Sequence, residues 1–151
     1  MMTPRKIMIV DDSEILHRML EIVFMKYRRG GTALVHCSDG KEALDKLAHN
    51  LDTDLVLLDI NMPVMSGLEF LQRYNEEEVF RGIPVIIITT EGREQDTIRG
   101  LQAGASAYVT KPFQPAELIQ IVERVLAGSA GAGGQRAAGQ SMRAVQTLGK
   151  R

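Results

Sequence analysis

The 151-residue chain has one cysteine, Cys37, so no intramolecular disulfide is open to it. That suits a reducing compartment. Long hydrophobic runs are also missing. Arg5 and Lys6 lead into only Ile7–Val10 before Asp11 and Asp12 end the run, far short of a secretion-signal core. Nothing approaches the roughly 18 consecutive apolar residues that a membrane span needs. Neither charge sign dominates: 18 basic residues stand against 19 acidic, a net charge of −1, and the whole molecule carries no polyanion-binding signature. No G-x-x-x-x-G-K-[ST] segment occurs, and no G-x-G-x-x-G follows a strand-like run, so the common glycine-rich nucleotide cradles are excluded. No internal repeat is visible beyond an alternation of short elements. What is left is a domain of ordinary size with 44% apolar residues, enough for a real core. It is expected to be soluble and cytoplasmic, with no nucleic-acid partner and no membrane insertion.

The charge is unevenly placed. Four of the 18 basic residues (Arg136, Arg143, Lys150 and Arg151) lie after Gly128, where there are no acids. The preceding segment therefore carries 14 basic residues against 19 acidic. Residues 128–140 are almost all Gly, Ala and Ser and read as a flexible linker. Met142, Val145 and Leu148 share one face of a short helical pattern beyond it. The expected organisation is a domain over residues 1–127 and a basic Gly/Ala-rich tail over 128–151, too short to hold a second domain.

Five short runs rich in β-branched residues punctuate the body: Ile7–Val10, Ala33–Cys37, Leu55–Leu58, Val85–Thr89 and Ala107–Thr110. The first, third and fourth are apolar throughout, as expected of parallel strands covered on both faces. Helical stripes alternate with them. These are Ile15, Leu16, Met19, Leu20 and Val23; Ala43, Leu44, Leu47 and Ala48; Leu68, Leu71 and Tyr74; Ile98, Leu101 and Ala105; and Leu118, Ile119, Val122, Val125 and Leu126. Pro115 suits the first turn of the last helix. Five βα units predict an open α/β sandwich with helices on both faces of a parallel sheet.

In such a sheet, ligands bind at the carboxyl ends of the strands. There the sequence places Asp11 and Asp12 after the first strand, Asp59 at the end of the third, Thr89 at the end of the fourth and Lys111 after the fifth. Taken singly, each has a plain reading: a turn or cap residue, a strand threonine, a solvated lysine. Together they bring three carboxylates, a hydroxyl and an ammonium to one sheet edge. Clustered carboxylates resist ionising unless a cation joins them, and hard oxygen ligands suit Mg²⁺. A carboxylate nucleophile, a metal, a cation and a hydroxyl donor are the requirements of phosphoryl transfer. Pro63 and Gly67 mark a tight turn that opens a helix and can bring the Asn61 carbonyl round to the metal.

The segments "VDDS" (Val10–Ser13), "LLDINMPVMSG" (Leu57–Gly67), "TTEG" (Thr89–Gly92) and "GASAYVTKPF" (Gly104–Phe113) occur in the order found in receiver domains of two-component response regulators. The chain resembles that family over about residues 5 to 127. The resemblance implies a flavodoxin-like (βα)5 doubly wound sandwich on a five-stranded parallel sheet. It implies that Asp59 accepts a phosphoryl group from a phosphohistidine on a sensor histidine kinase. Asp11, Asp12, Asp59 and the Asn61 carbonyl would hold Mg²⁺, and Lys111 would contact the phosphoryl oxygens. Thr89 would be the switch hydroxyl and Tyr108 the switch aromatic. The Lys111–Pro112 bond is expected to be cis. Phosphorylation would alter the face made by the fourth helix, fifth strand and fifth helix, and so control a downstream output protein.

Asn61 and Glu91 are expected to border the hydrolytic water and tune phosphoryl lifetime. As a pair they resemble single-domain chemotaxis-type regulators. The protein is expected to be a phosphoacceptor, not an enzyme acting on other substrates: aspartyl-phosphate phosphatases carry D-x-D at the nucleophile, and the residue two after Asp59 is Asn61. The alternatives are a phosphorelay intermediate that passes phosphate to a histidine phosphotransfer protein, and a phosphorylation-independent scaffold. A monomer or weak homodimer is expected. His17, His36 and His49 show no metal-ligand spacing, and Cys37 reads as a buried strand-end residue.

Overall fold

The computed structural model describes residues 5–27, 31–62, 64–90 and 92–132. Five strands alternate with five helices: β1 (Arg5–Val10), α1 (Glu14–Lys26), β2 (Thr32–Cys37), α2 (Gly40–Ala48), β3 (Leu55–Asp59), α3 (Gly67–Glu76), β4 (Val85–Thr90), α4 (Glu94–Gln102), β5 (Ala107–Lys111) and α5 (Pro115–Ala132). A single 3-10 turn, Glu78–Phe80, connects α3 to β4. The strands form one parallel sheet in the order β2-β1-β3-β4-β5. The order doubles back at β1, and the switch point lies between β1 and β3, where such sheets bind ligands.

The continuous apolar character of β1, β3 and β4 is explained by cover on both faces. Ile7, Ile9, Leu55, Leu57, Ile86 and Ile88 point to one side, where α1 and α5 supply Leu16, Leu20, Phe24, Leu118, Val122 and Val125. Met8, Val10, Val56, Leu58 and Ile87 point to the other, against Ala43 and Leu47 of α2 and Phe70 and Leu71 of α3. Each large side chain taken fully out of water contributes roughly 1.5–3 kcal/mol.

Only part of each expected stripe is core. In α1 the buried line is Leu16, Leu20 and Phe24, while Ile15 and Met19 face solvent, with Ile15 82% exposed. Apolar residues run nearly all round this helix, and the sheet covers only one side of it. In α4 the buried positions are Thr97 and Gly100, and Ile98 is exposed. Gly100, which weakens the helical pattern in sequence, is a contact point: a Cβ there would lie 2.1 Å from Ile87 Cδ1. Phe70 joins the α3 core alongside Leu71.

Local signals set the helix starts. Ser13 and Asp39 accept from the Leu16 and Glu42 main-chain N–H groups. Ser66 and Glu69 form a reciprocal capping box at α3. Ser66→Ala is expected to cost about 1 kcal/mol of stability, read as a lower urea midpoint at unchanged slope. Pro115 opens α5 as expected, and the helix runs on to Ala132, past the last apolar position of its stripe. Residues 133–151, including the Met142, Val145 and Leu148 pattern, lie outside the described residues. Among the described residues, no helix is long and apolar enough to cross a membrane.

Candidate functional site

Parallel strands put their carboxyl ends at one edge, and the register brings the expected residues there. Val10 pairs with Leu58 across β1 and β3, so Asp11 and Asp59 project side by side. Thr89 pairs with Thr110, next to Lys111. Asp11, Asp12 and Asp59 each offer a carboxylate oxygen, and these oxygens all lie within 4.8 Å of one another. Asp11 is 1% exposed and Asp59 5% exposed, whereas Asp12 faces solvent.

The Asp11 carboxylate is held at both oxygens. Its Oδ1 accepts from the Ser13 main-chain N–H at 2.8 Å, and its Oδ2 accepts from Lys111 Nζ at 3.0 Å. The same ammonium lies 3.9 Å from Asp59 Oδ2. Asp59 Oδ1 accepts from the Asn61 N–H at 3.2 Å. These partners only partly offset the cost of a buried anion. The Asp59 carboxyl is pushed up to about 6, first by burial and then by the Asp11 charge, against the opposing pull of Lys111 and the Asn61 N–H. A buried carboxylate, two acidic neighbours and a single ammonium form a set of hard oxygen donors short of positive charge. Such a set fits a divalent cation of the Mg²⁺ type.

The remaining expected residues are placed as follows. Thr89 is buried, and its hydroxyl is 3.1 Å from that of Thr97 in α4. Tyr108 is half-buried and packs against both core clusters. The Lys111–Pro112 bond is cis. Glu91 and Pro63 lie outside the described residues, so the expected pairing of Asn61 with Glu91 is not placed. Cys37 ends β2 as expected, and burial pushes its thiol up to about 12, which makes it inert.

Two features escaped the sequence reading. His17 and His36 carry no metal-ligand spacing, yet their Nδ1 atoms meet at 2.7 Å. His17 Nε2 also lies 2.7 Å from the Asp11 carbonyl. A carbonyl only accepts, so His17 donates to it through Nε2–H, and one of the two Nδ1 atoms donates to the other. His36 Nε2 then faces Glu21 at 3.6 Å. Burial, followed by the neighbouring His17, lowers the basicity of His36. The two rings thus tie α1 and β2 to the main chain of Asp11. The second feature is Gly67. Its N–H donates to the Ile60 carbonyl at 2.8 Å, and a Cβ there would lie 2.5 Å from the Asp59 carbonyl oxygen. Glycine is required here for close approach, beyond the turn that the sequence suggests.

Known proteins resemble this chain in sequence and fold. Residues 7–123 match the family described as response regulator receiver domain. The chain is 37% identical over 121 residues to the chemotaxis protein CheY1 of Helicobacter pylori, covering 80% of this chain and 96% of that protein. It is 35% identical over 122 residues to the phosphate regulon transcriptional regulatory protein PhoB of Escherichia coli, covering 81% of this chain but 52% of PhoB. Among solved structures, the chemotaxis protein CheY4 of Vibrio cholerae superposes with a TM-score of 0.71 at 30% identity, covering 80% of this chain and 98% of that one. By sequence and by fold, this chain belongs to the response regulator receiver domain family.

Proposed function

We propose that the protein is a phosphoacceptor signalling domain in which Asp59 takes a phosphoryl group from a phosphohistidine of a sensor histidine kinase. The observation that carries this reading is the convergence of the Asp11, Asp12 and Asp59 carboxylates within 4.8 Å, with the Lys111 ammonium 3.0 Å from Asp11 and 3.9 Å from Asp59. In the transfer, an Asp59 oxygen forms a bond to phosphorus while the phosphorus–nitrogen bond breaks. The imidazole leaves with that electron pair. Lys111 neutralises charge on the phosphoryl oxygens, and the Thr89 hydroxyl donates to one of them. Asp11, Asp12, Asp59 and the Asn61 carbonyl would hold Mg²⁺. Such an ion would supply positive charge to offset that of the carboxylates and of the phosphoryl group.

The acyl phosphate at Asp59 draws Thr89 toward it. Tyr108 turns into the space released, and the α4–β5–α5 face changes its partner preference. The likeness to CheY1 along nearly the whole length of that protein supports a chemotaxis or motility output from a cytoplasmic regulator. The phosphoacceptor unit runs to the end of α5 at Ala132, so the first five residues of the expected 128–151 tail belong to that helix and the appended basic tail follows it.

The test is intact mass after incubation with acetyl phosphate, with and without Mg²⁺, on the wild type and on Asp59→Asn. One added phosphoryl group that requires both Mg²⁺ and Asp59 is expected. A folded wild type that gains no mass from acetyl phosphate or from phosphorylated kinase would reduce the chain to a scaffold with a receiver fold.

A further inference from the structure

Thr97 sits in the first turn of α4 and is 6% exposed, and Thr89 at the end of the sheet is 3% exposed. Their hydroxyl oxygens are 3.1 Å apart, and Thr97 Oγ1 is also 3.0 Å from the Arg93 carbonyl. A hydroxyl has one proton and two lone pairs. The Arg93 carbonyl has no proton to give, so that contact consumes the Thr97 proton, as is usual for a helical threonine bonding one turn back. The contact between the two hydroxyls must then be donated by Thr89. In this state the single Thr89 proton is engaged by α4.

We infer that Thr97 is a positioning residue that holds the Thr89 hydroxyl in its resting state, competing with a phosphoryl oxygen on Asp59 for one proton. The inference rests on the phosphoacceptor reading and adds a residue to it. Two acceptors cannot share the Thr89 proton, so capture by the phosphoryl oxygen breaks the bond to Thr97. The first turn of α4 thereby loses a buried tether to β4. Phosphorylation is coupled to the output face through this exchange, before any movement of Tyr108. The apparent affinity of the site for a phosphoryl group is lowered by the fraction of molecules in which Thr97 holds Thr89.

The experiment is calorimetric titration of the full chain with beryllofluoride, a phosphoryl mimic, in saturating Mg²⁺. Thr97→Val keeps the shape and removes the acceptor. It is expected to bind about three- to tenfold more tightly than the wild type, the range set by one neutral hydrogen bond. Thr97→Ser keeps both hydrogen bonds and should match the wild type. In a Thr89→Ala background, Thr97→Val should have no effect, because the two residues act through one proton. Unchanged or weaker binding by Thr97→Val overturns the inference, as does an increase that persists without the Thr89 hydroxyl. Wild-type binding that is absent, or that survives Asp59→Asn unchanged, overturns the phosphoacceptor reading itself and the inference with it.

Discussion

Alanine at position 67 is expected to destabilise the protein by about 2–4 kcal/mol and to lower the rate of phosphoryl incorporation together with the stability. The added Cβ would meet three main-chain atoms of β3 and its exit: the Asp59 carbonyl oxygen at 2.5 Å, the Ile60 Cα at 2.7 Å and the Asp59 carbonyl carbon at 3.2 Å. A flexible side chain can swing away from such a contact; these atoms cannot without moving the strand end. The strand end carries the Asp59 carboxylate, and Gly67 N–H binds the Ile60 carbonyl beside it. Either α3 lifts off the sheet or Asp59 shifts relative to Asp11 and Lys111. Urea unfolding measures the first cost. Incorporation measured well below the denaturant midpoint isolates the second. A Gly67→Ala protein with wild-type stability would show that the β3–α3 connection yields freely, contrary to the packing described.

Asp59→Asn is expected to act in the opposite direction on stability. In the cation-free protein, the Asp59 carboxyl is pushed up to about 6 by burial and by Asp11. The sign follows from proton linkage. The ordinary carboxyl value is near 4, so between about 4 and 6 the folded state holds a proton that the unfolded state has released. Each rise in pH through that window therefore removes stability, and above it the full penalty remains. A displacement of about two units corresponds to roughly 3 kcal/mol at neutral pH. Asparagine carries no charge to bury and avoids that penalty.

In chelator, the Asp59→Asn protein should melt about 5–10 °C above the wild type at pH 7.5, and the difference should shrink toward zero near pH 4. Adding Mg²⁺ should narrow the gap from the other side, because the cation stabilises the set that has three carboxylates more than the set that has two. A lower melting temperature for Asp59→Asn in chelator at neutral pH would mean that Lys111 and the Asn61 N–H already satisfy Asp59. The case for a cation between the carboxylates would then fail.

Both predictions concern geometry that local sequence does not display. Composition and periodicity were enough for the five βα units, because the apolar runs of β1, β3 and β4 admit only strands covered on both sides. With parallel strands implied, the acids, threonine and lysine at their ends had to share one edge. Asp11, Asp59, Thr89 and Lys111 were therefore legible as a group. The stripes were less so. Ile15 and Leu16 look equivalent in sequence, yet only Leu16 meets the sheet, since the rotation of α1 is set by packing and not by its own residues. Gly100 reads as a flaw in a helix and is in fact where α4 touches Ile87.

The sequence alone determined the fold class, the carboxyl edge and the identity of the groups gathered there, since strand direction follows from hydrophobic pattern and connection length. Three things were decided only in three dimensions: the meeting of His17 with His36 behind Asp11, the close approach of Gly67 to Asp59, and the pairing of the Thr89 and Thr97 hydroxyls. Each joins residues from different elements, at distances fixed by how helices settle on a twisted sheet, and no periodicity within either element encodes that.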